Sequence, residues 1–535
     1  MSTQPIHIRG GLIADGTGAP LVRKDVLVAD GRVVRISPPV ARPSRVARVI
    51  DAGGHIVCPG FIDLHSHADY TVERDAAATG QLAQGVTTIV TGNCGWSPFP
   101  VADLSVLREW SAFLGGNASY EWRDASGFAD RVDSVSPAVH LLPLVGHSPV
   151  RIAVLGGDRR HASVAELHDM RELVVRMIKQ GAWGLSTGLI YAPGSFSETA
   201  EVAELVLTAA EQGALYATHM RDETGRVLEA VDEAIAAAEG ARSAGFSPRL
   251  QISHVKAMGP ANHGTVAALL ARIAEARARG LDVAADVYPY TASGTTLLSR
   301  LPHWALDGGL DELKVRLAHE ATRSRIRAEL AARFERGDFD PAGIVLNSLS
   351  PGRFSQAHGS SLLSVAGELN VSPAEAALTI LAAHDGAVGI INHAMSEADV
   401  RAAIAHPLVA IASDGGPLVP RDTGTTHPRA FGTFPRVFAR DVREQGIISL
   451  EEAVRKCTSL PAQRLGLRDR GVLREGAVAD ITVFDPAGIV DVADFSHPWR
   501  LSQGVRSVLV NGRIAWDEGR PTGVRAGGAL RRPDA

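Results

Sequence analysis

At 535 residues, 45% of them hydrophobic and 21% charged, the chain can bury a large core, and its length alone admits three or four domains. Lys and Arg total 54 against 59 Asp and Glu, and a net charge of −5 is too balanced to point to nucleic acid or an anionic membrane surface, so the expected partner is a small molecule. Three cysteines, Cys58, Cys94 and Cys457, are too few for a disulfide framework and leave a thiolate free to act as a ligand.

The first ten residues, MSTQPIHIRG, contain no basic stretch leading into an apolar one, and no segment approaches about 18 uninterrupted apolar residues. A soluble, cytoplasmic protein is expected. HIRGGLIADGTGAP, DVLVADGRVVRIS and RVIDAGGHIVCPG then set β-branched residues between Gly and Asp-Gly pairs, the pattern of antiparallel hairpins. From Phe61 the texture changes to short apolar strands separated by alanine-rich helical stretches such as 198–212, 227–239 and 265–279, which indicates parallel βαβ units.

The strand candidates run FIDLHSH, VTTIVTGNCG, AVHLLPLVGH, GAWGLSTGLIY, GALYATHMRDE, RLQISHVKAMG, LDVAADVYPYTA and LVAIASDGG, and eight such units predict a (β/α)8 TIM barrel. IVLNSL (344–349) and GAVGIINHAM (386–395) compete as strands, and the charged helical stretch from Asp311 to Asp338 is expected to belong to an excursion over the barrel mouth. Hairpin texture returns at 471–486 and 505–519. The expected architecture is therefore α/β: a small β-sandwich domain formed by both termini (1–58 and 471–535) and a barrel over 59–470 with an insertion at about 297–345. The tail from Gly519, rich in Gly, Arg and Pro, is expected to be loosely ordered.

In a parallel barrel the side chains available for chemistry lie at the C-terminal strand ends. His65 and His67 close the first strand candidate, Cys94 the second, His219 the fifth, His254 the sixth and Asp414 the eighth. Each has an ordinary explanation by itself: a core histidine, a small buried thiol, a turn-forming aspartate. Six groups able to ligate zinc, gathered in one ring, do not. His147 and His393 are expected to line the cavity or to form hydrogen bonds.

The ordered set Pro59-Gly60-Phe61-Ile62-Asp63-Leu64-His65-Ser66-His67, Gly92-Asn93-Cys94-Gly95, Leu185-Ser186-Thr187-Gly188-Leu189, Thr218-His219-Met220-Arg221, Ser253-His254-Val255-Lys256, Tyr288-Pro289-Tyr290 and Ser413-Asp414-Gly415 resembles the amidohydrolase superfamily, specifically the N-acyl-D-amino-acid deacylases, over essentially the whole chain. Many superfamily members bridge two metals with a carboxylated lysine on the fourth strand. Here that strand reads Trp183-Gly184-Leu185-Ser186-Thr187 and has no lysine, whereas Cys94 stands where the deacylases have a cysteine ligand. The resemblance implies that Cys94, His219 and His254 hold one zinc ion tightly, and that His65, His67 and Asp414 shape a second, weaker site. Zinc brings the pKa of bound water from about 15.7 to about 7, and Asp414 beside it would carry the proton to the leaving nitrogen. The implied reaction is amide hydrolysis.

By the same resemblance Lys256, Tyr288 and Arg429 bind the substrate's α-carboxylate, so that free acids are preferred over esters or amides. Arg429 lies in His427-Pro428-Arg429, read as a loop from which an arginine can swing over a ligand. Tyr191 is a further candidate for that carboxylate or for the scissile oxygen. Arg221 is open between the metal shell, the acyl group and an ion pair with Asp222 or Glu223. Segment 415–428 is expected to shape the pocket. A cyclic amidohydrolase of the hydantoinase or dihydropyrimidinase kind is the alternative activity, and a non-catalytic scaffold of the same fold a remote one. Side-chain preference and oligomeric state are left open by the sequence, and D over L rests on the resemblance alone.

Overall fold

The structure, a computed structural model, describes residues 4–39, 48–111, 114, 118–416, 420 and 426–533. Eight parallel strands surround its centre: β1 (Phe61–Asp63), β2 (Val86–Thr91), β3 (His140–Pro143, resumed at Val145–Gly146), β4 (Gly184–Gly188), β5 (Leu215–His219), β6 (Arg249–Ile252), β7 (Asp282–Val287) and β8 (Val409–Ile411). They hydrogen-bond in sequence order. The ring closes just beyond the first and eighth strands, where the Asp414 amide donates to the His65 carbonyl at 2.9 Å and Ser66 bridges Gly415.

Such strands are covered on both faces, and every residue of Val86–Thr91 is buried. The helices that cover them are amphipathic. Thr199–Glu211 buries Val202, Leu205, Val206 and Ala209, the spacing of one helix face. Val164–Lys179 starts at a capping box in which Ser163 and Glu166 satisfy each other's backbone amides. Among the described residues no helix is long and apolar enough to cross a membrane.

Between β7 and β8 the chain leaves the ring. Ala292–Thr296, Ile344–Leu349 and Val388–His393 form a separate antiparallel sheet with Val388–His393 in its middle, accompanied by the helices Leu310–Ala318, Glu320–Glu335, Leu362–Leu369 and Pro373–Ala383. Both competing strand candidates belong here and not to the barrel, so the excursion extends past 345 to His393. Their pairing partners lie roughly 45 to 100 residues away, out of reach of any local pattern.

Strands from the two termini hydrogen-bond into one nine-stranded sheet, in which Ile56–Pro59 from the N-terminal half pairs with Ile481–Phe484 from the C-terminal half. Ile8, Val26, Val57, Ile481 and Leu509 share its core. Phe61 of β1 stacks on Phe434 and Phe438 at 5.6 and 5.4 Å and meets Phe484 of this sheet at 6.3 Å, which joins sheet to barrel.

The tail expected to be loose is instead docked. The Leu141 amide donates to Gly528 at 3.0 Å and the Leu530 amide to Leu141 at 2.8 Å, a short parallel bridge beside β3. Arg531 pairs with Asp130 and Asp133, each at 2.7 Å. Composition suggested looseness, but backbone hydrogen bonds and ion pairs to a distant strand and helix decide the outcome.

Candidate metal centre

β1 ends at Asp63, two residues before His65, so the two histidines are not on a strand but on the segment that follows, where Ser66 bridges Gly415. Asp63 holds that closure by accepting the Ser413 amide at 2.9 Å together with the Ser413 hydroxyl, while burial pushes its carboxyl up to about 6. Cys94 is fixed by a close backbone approach. A Cβ at Gly188, the last residue of β4, would lie 1.9 Å from the Cys94 carbonyl oxygen, and the Gly95 amide donates to Ser186 at 3.1 Å. The glycines of Gly92-Asn93-Cys94-Gly95 and Ser186-Thr187-Gly188 thus bring the thiol in from β2.

All six expected ligands converge. Sγ of Cys94 is 3.2 Å from His65 Nε2 and 3.4 Å from His254 Nε2; Asp414 Oδ1 is 3.1 Å from His67 Nε2 and 3.4 Å from His65 Nε2. Their ligand atoms form two groups sharing Cys94, one with His65, His67 and Asp414 and one with His219 and His254, each spanning at most 4.8 Å. Cys94, His254 and Asp414 have φ of 54°, 34° and 52°, left-handed backbone that costs a non-glycine residue roughly 1–3 kcal/mol. Three donors from three strand ends share this strain.

The donor set fits a metal ion. Thiolate, imidazole and carboxylate are the ligands zinc takes, and both ring nitrogens of His219 and Nδ1 of His65 and of His67, although buried, lack a hydrogen-bond partner among the described residues. Burial alone would raise the Cys94 thiol, but the charges of His65 and His254 draw it well below its usual range. Burial likewise opposes ionisation of Asp414, and Arg429, then His65, hold it well below the usual carboxylate range.

Two carboxylates to which the sequence assigned no place at this ring organise it. Glu223 accepts from Lys256 Nζ at 2.6 Å, lies 3.2 Å from His254 Nδ1, and lies 3.3 Å from His219 Nε2 outside hydrogen-bond alignment. Asp286 accepts the His254 amide at 2.7 Å and Gln251 at 2.8 Å, and lies 3.5 Å from His65 Nδ1. Glu223 stands four residues past His219, a spacing that could have drawn attention to it. Asp286, inside a strand, carries no comparable local signal.

A cavity of about 220 Å³ opens over the ring and is lined by His67, Cys94, His219, Lys256, Tyr191 and Arg429 among others. Lys256 Nζ also contacts His254 Nδ1 at 2.7 Å. Lys256 Nζ and the Arg429 guanidinium lie 5.6 and 4.9 Å from the Tyr288 ring centre, and the buried Tyr288 hydroxyl has no hydrogen-bond partner among the described residues. Tyr191 bonds Thr295 at 2.9 Å.

Arg429 is not on a free loop. It opens the helix Arg429–Arg436, is 6% exposed, and sets Nη1 2.8 Å from Asp414 Oδ2. Arg221 pairs with neither Asp222 nor Glu223 but with Glu233 at 2.9 Å. His147 bonds Glu201 at 2.8 Å away from the cavity, and His393 is exposed on the excursion, its ring 4.6 Å from Phe495. Of segment 415–428, residues 417–419 and 421–425 lie outside the described residues.

Residues 48–515 match the profile of the amidohydrolase family. The chain is 35% identical to N-acyl-D-aspartate deacylase of Alcaligenes xylosoxydans xylosoxydans over 99% of this chain and 95% of that one, and 34% identical to D-aminoacylase of the same organism over 100% and 99%. It superimposes with a TM-score of 0.82 and 33% identity on N-acyl-D-glutamate deacylase from Bordetella bronchiseptica, solved with zinc and a phosphonate mimic of the tetrahedral intermediate, covering 99% of this chain and 100% of that one.

Proposed function

The chain belongs to the amidohydrolase family, and from that premise we propose that it hydrolyses the amide bond of N-acyl-D-amino acids, or of dipeptides ending in a D residue, at a zinc ion held by Cys94, His219 and His254. His65, His67 and Asp414 form a second, weaker site. The observation that carries this reading is the convergence of a thiol, four imidazoles and a carboxylate beneath a cavity whose walls present a lysine, a tyrosine and an arginine.

Zinc bound there supplies an acidified water and a Lewis acid for the amide carbonyl. The chain's own groups do the rest. Asp414 takes the water proton on a carboxylate oxygen and returns it to the amide nitrogen as that nitrogen leaves. Arg429 and His67 hold its two oxygens in place. Lys256, the Tyr288 hydroxyl and Arg429 grip the α-carboxylate, each charge-assisted bond contributing roughly 1.5–3 kcal/mol. Tyr191 closes the same side.

This grip favours linear substrates with a free carboxylate over a hydantoin ring, which offers none. Preference for the D enantiomer is supported by the names of the relatives. Those relatives are named for different side chains at nearly equal identity, so identity does not choose among them. The test is an assay of paired N-acetyl-D- and N-acetyl-L-amino acids with hydantoin as control, before and after exhaustive chelation. Turnover of the D series that chelation abolishes and zinc restores is expected. Exclusive L or hydantoin turnover, or full activity without metal, would overturn the reading.

A further inference from the structure

One cation in the cavity wall has no role in the chemistry described so far. Arg300 ends the short turn Leu297–Arg300 on the excursion, is 2% exposed and, like Asn347 and Ser348, is among the residues that line the cavity. Its Nε and Nη1 have no hydrogen-bond partner among the described residues. What fixes it is aromatic and cationic: the guanidinium lies 4.2 Å over the Phe339 ring, which also carries Arg333 at 4.7 Å, and Arg333 donates to the Arg300 carbonyl at 3.1 Å.

A buried guanidinium without a counter-ion is costly, and arginine is among the residues least often buried unpaired. Burial, and then the nearby charge of Arg333, push its pKa down to about 10, so the site disfavours the very charge it contains. The planar fork lies against the Phe339 ring, and its unpartnered Nε–H and Nη1–H groups suit a carboxylate. The path of the chain says which end of a substrate would bring it. The strand Ala292–Thr296 receives Arg429 Nη2 on the Gly294 carbonyl at 3.3 Å and Tyr191 on Thr295, then runs directly into the turn that ends at Arg300. The arginine is thereby tied to the residues that grip the amino-acid end.

We infer that Arg300 selects a second carboxylate on the amino-acid side chain, so that the preferred substrates are N-acyl derivatives of the acidic D-amino acids. The inference rests on the deacylase reading above and adds the substrate class. The counter-ion that the protein withholds from Arg300 arrives with the substrate. A neutral side chain of the same shape leaves the guanidinium buried and unpaired, a mismatch that discriminates strongly.

The test is steady-state kinetics of the zinc-loaded protein on N-acetyl-D-glutamate and N-acetyl-D-aspartate, their amides N-acetyl-D-glutamine and N-acetyl-D-asparagine, and N-acetyl-D-leucine. At least one acid should exceed its amide by roughly 100-fold or more in kcat/KM. Arg300→Met should collapse that acid-to-amide ratio to within about tenfold of unity, mainly through KM, with Arg300→Lys in between. The ratio is taken within each variant, so a reduced folded fraction cancels. Equal turnover of acids and amides by the wild type, or an unchanged ratio in Arg300→Met, would overturn the inference while leaving the deacylase reading intact. A carboxylate preferred on the acyl group instead, read as N-succinyl-D-leucine outrunning N-acetyl-D-leucine with no advantage for acidic side chains, would also overturn it. Failure to hydrolyse any N-acyl-D-amino acid would sink the deacylase reading itself.

Discussion

Two buried clusters in this protein use nearly the same residue types to opposite effect. In one, both oxygens of Glu201 are taken by unlike neighbours, His147 Nε2 at 2.8 Å and the guanidinium of Arg151. In the other, four imidazoles and a thiol converge with ring nitrogens left over and a cavity above them. Pairing of unlike groups neutralises charge inside the fold and serves stability. Convergence of like lone pairs is tolerable only if something positive joins them, and that is the mark of a binding centre.

The sharpest way to break this distinction is to remove the shared ligand. Cys94→Ala should lose bound metal and with it nearly all turnover, measured by metal analysis and kinetics on the same sample; full metal occupancy would show that the thiol is not a ligand. Asp414→Asn should keep its metal yet fall about 10² to 10⁴ in kcat, the range for loss of a positioned acid and base. Unchanged activity would place proton transfer elsewhere.

Glu201→Gln tests the other side of the comparison. Burial opposes ionisation of Glu201, but His147 and then Arg151 bring its pKa from 4.5 down to about 2. A depressed carboxylate stabilises the fold above the unfolded pKa and loses that contribution as pH falls through the folded one. The variant should therefore be less stable by on the order of 3 kcal/mol at neutral pH, with the gap to wild type narrowing as pH falls from 4.5 towards 2. Denaturant unfolding reads this directly. Its kcat/KM should stay within a few fold, and loss of metal would erase the contrast between the clusters. Tyr191→Phe should give the smallest effect, a rise in KM of about three- to tenfold, the worth of one hydrogen bond.

The six expected ligands could be singled out in the sequence because each follows a short apolar run, and strand ends in a barrel are brought to one rim whatever lies between them. The excursion was legible as an interruption but not in extent, since its strands pair across roughly 45 to 100 residues. Arg221 had acidic neighbours in sequence, yet the helix that follows presents Glu233 to it instead. The tail had the composition of a loose end and found hydrogen-bond partners at Leu141.

What the sequence determined by itself is the inventory of the chemistry: a thiol and four imidazoles with one aspartate, each set at or just past the end of a short apolar run. What only the tertiary structure decided is which group faces which. Glu223 meets His254 and Lys256, Arg429 meets Asp414, and Arg300 meets no carboxylate among the described residues. Local periodicity fixes the face on which a side chain emerges, but the partner of a charge is set by closure of the ring and the folding back of the excursion, contacts between residues far apart in the chain.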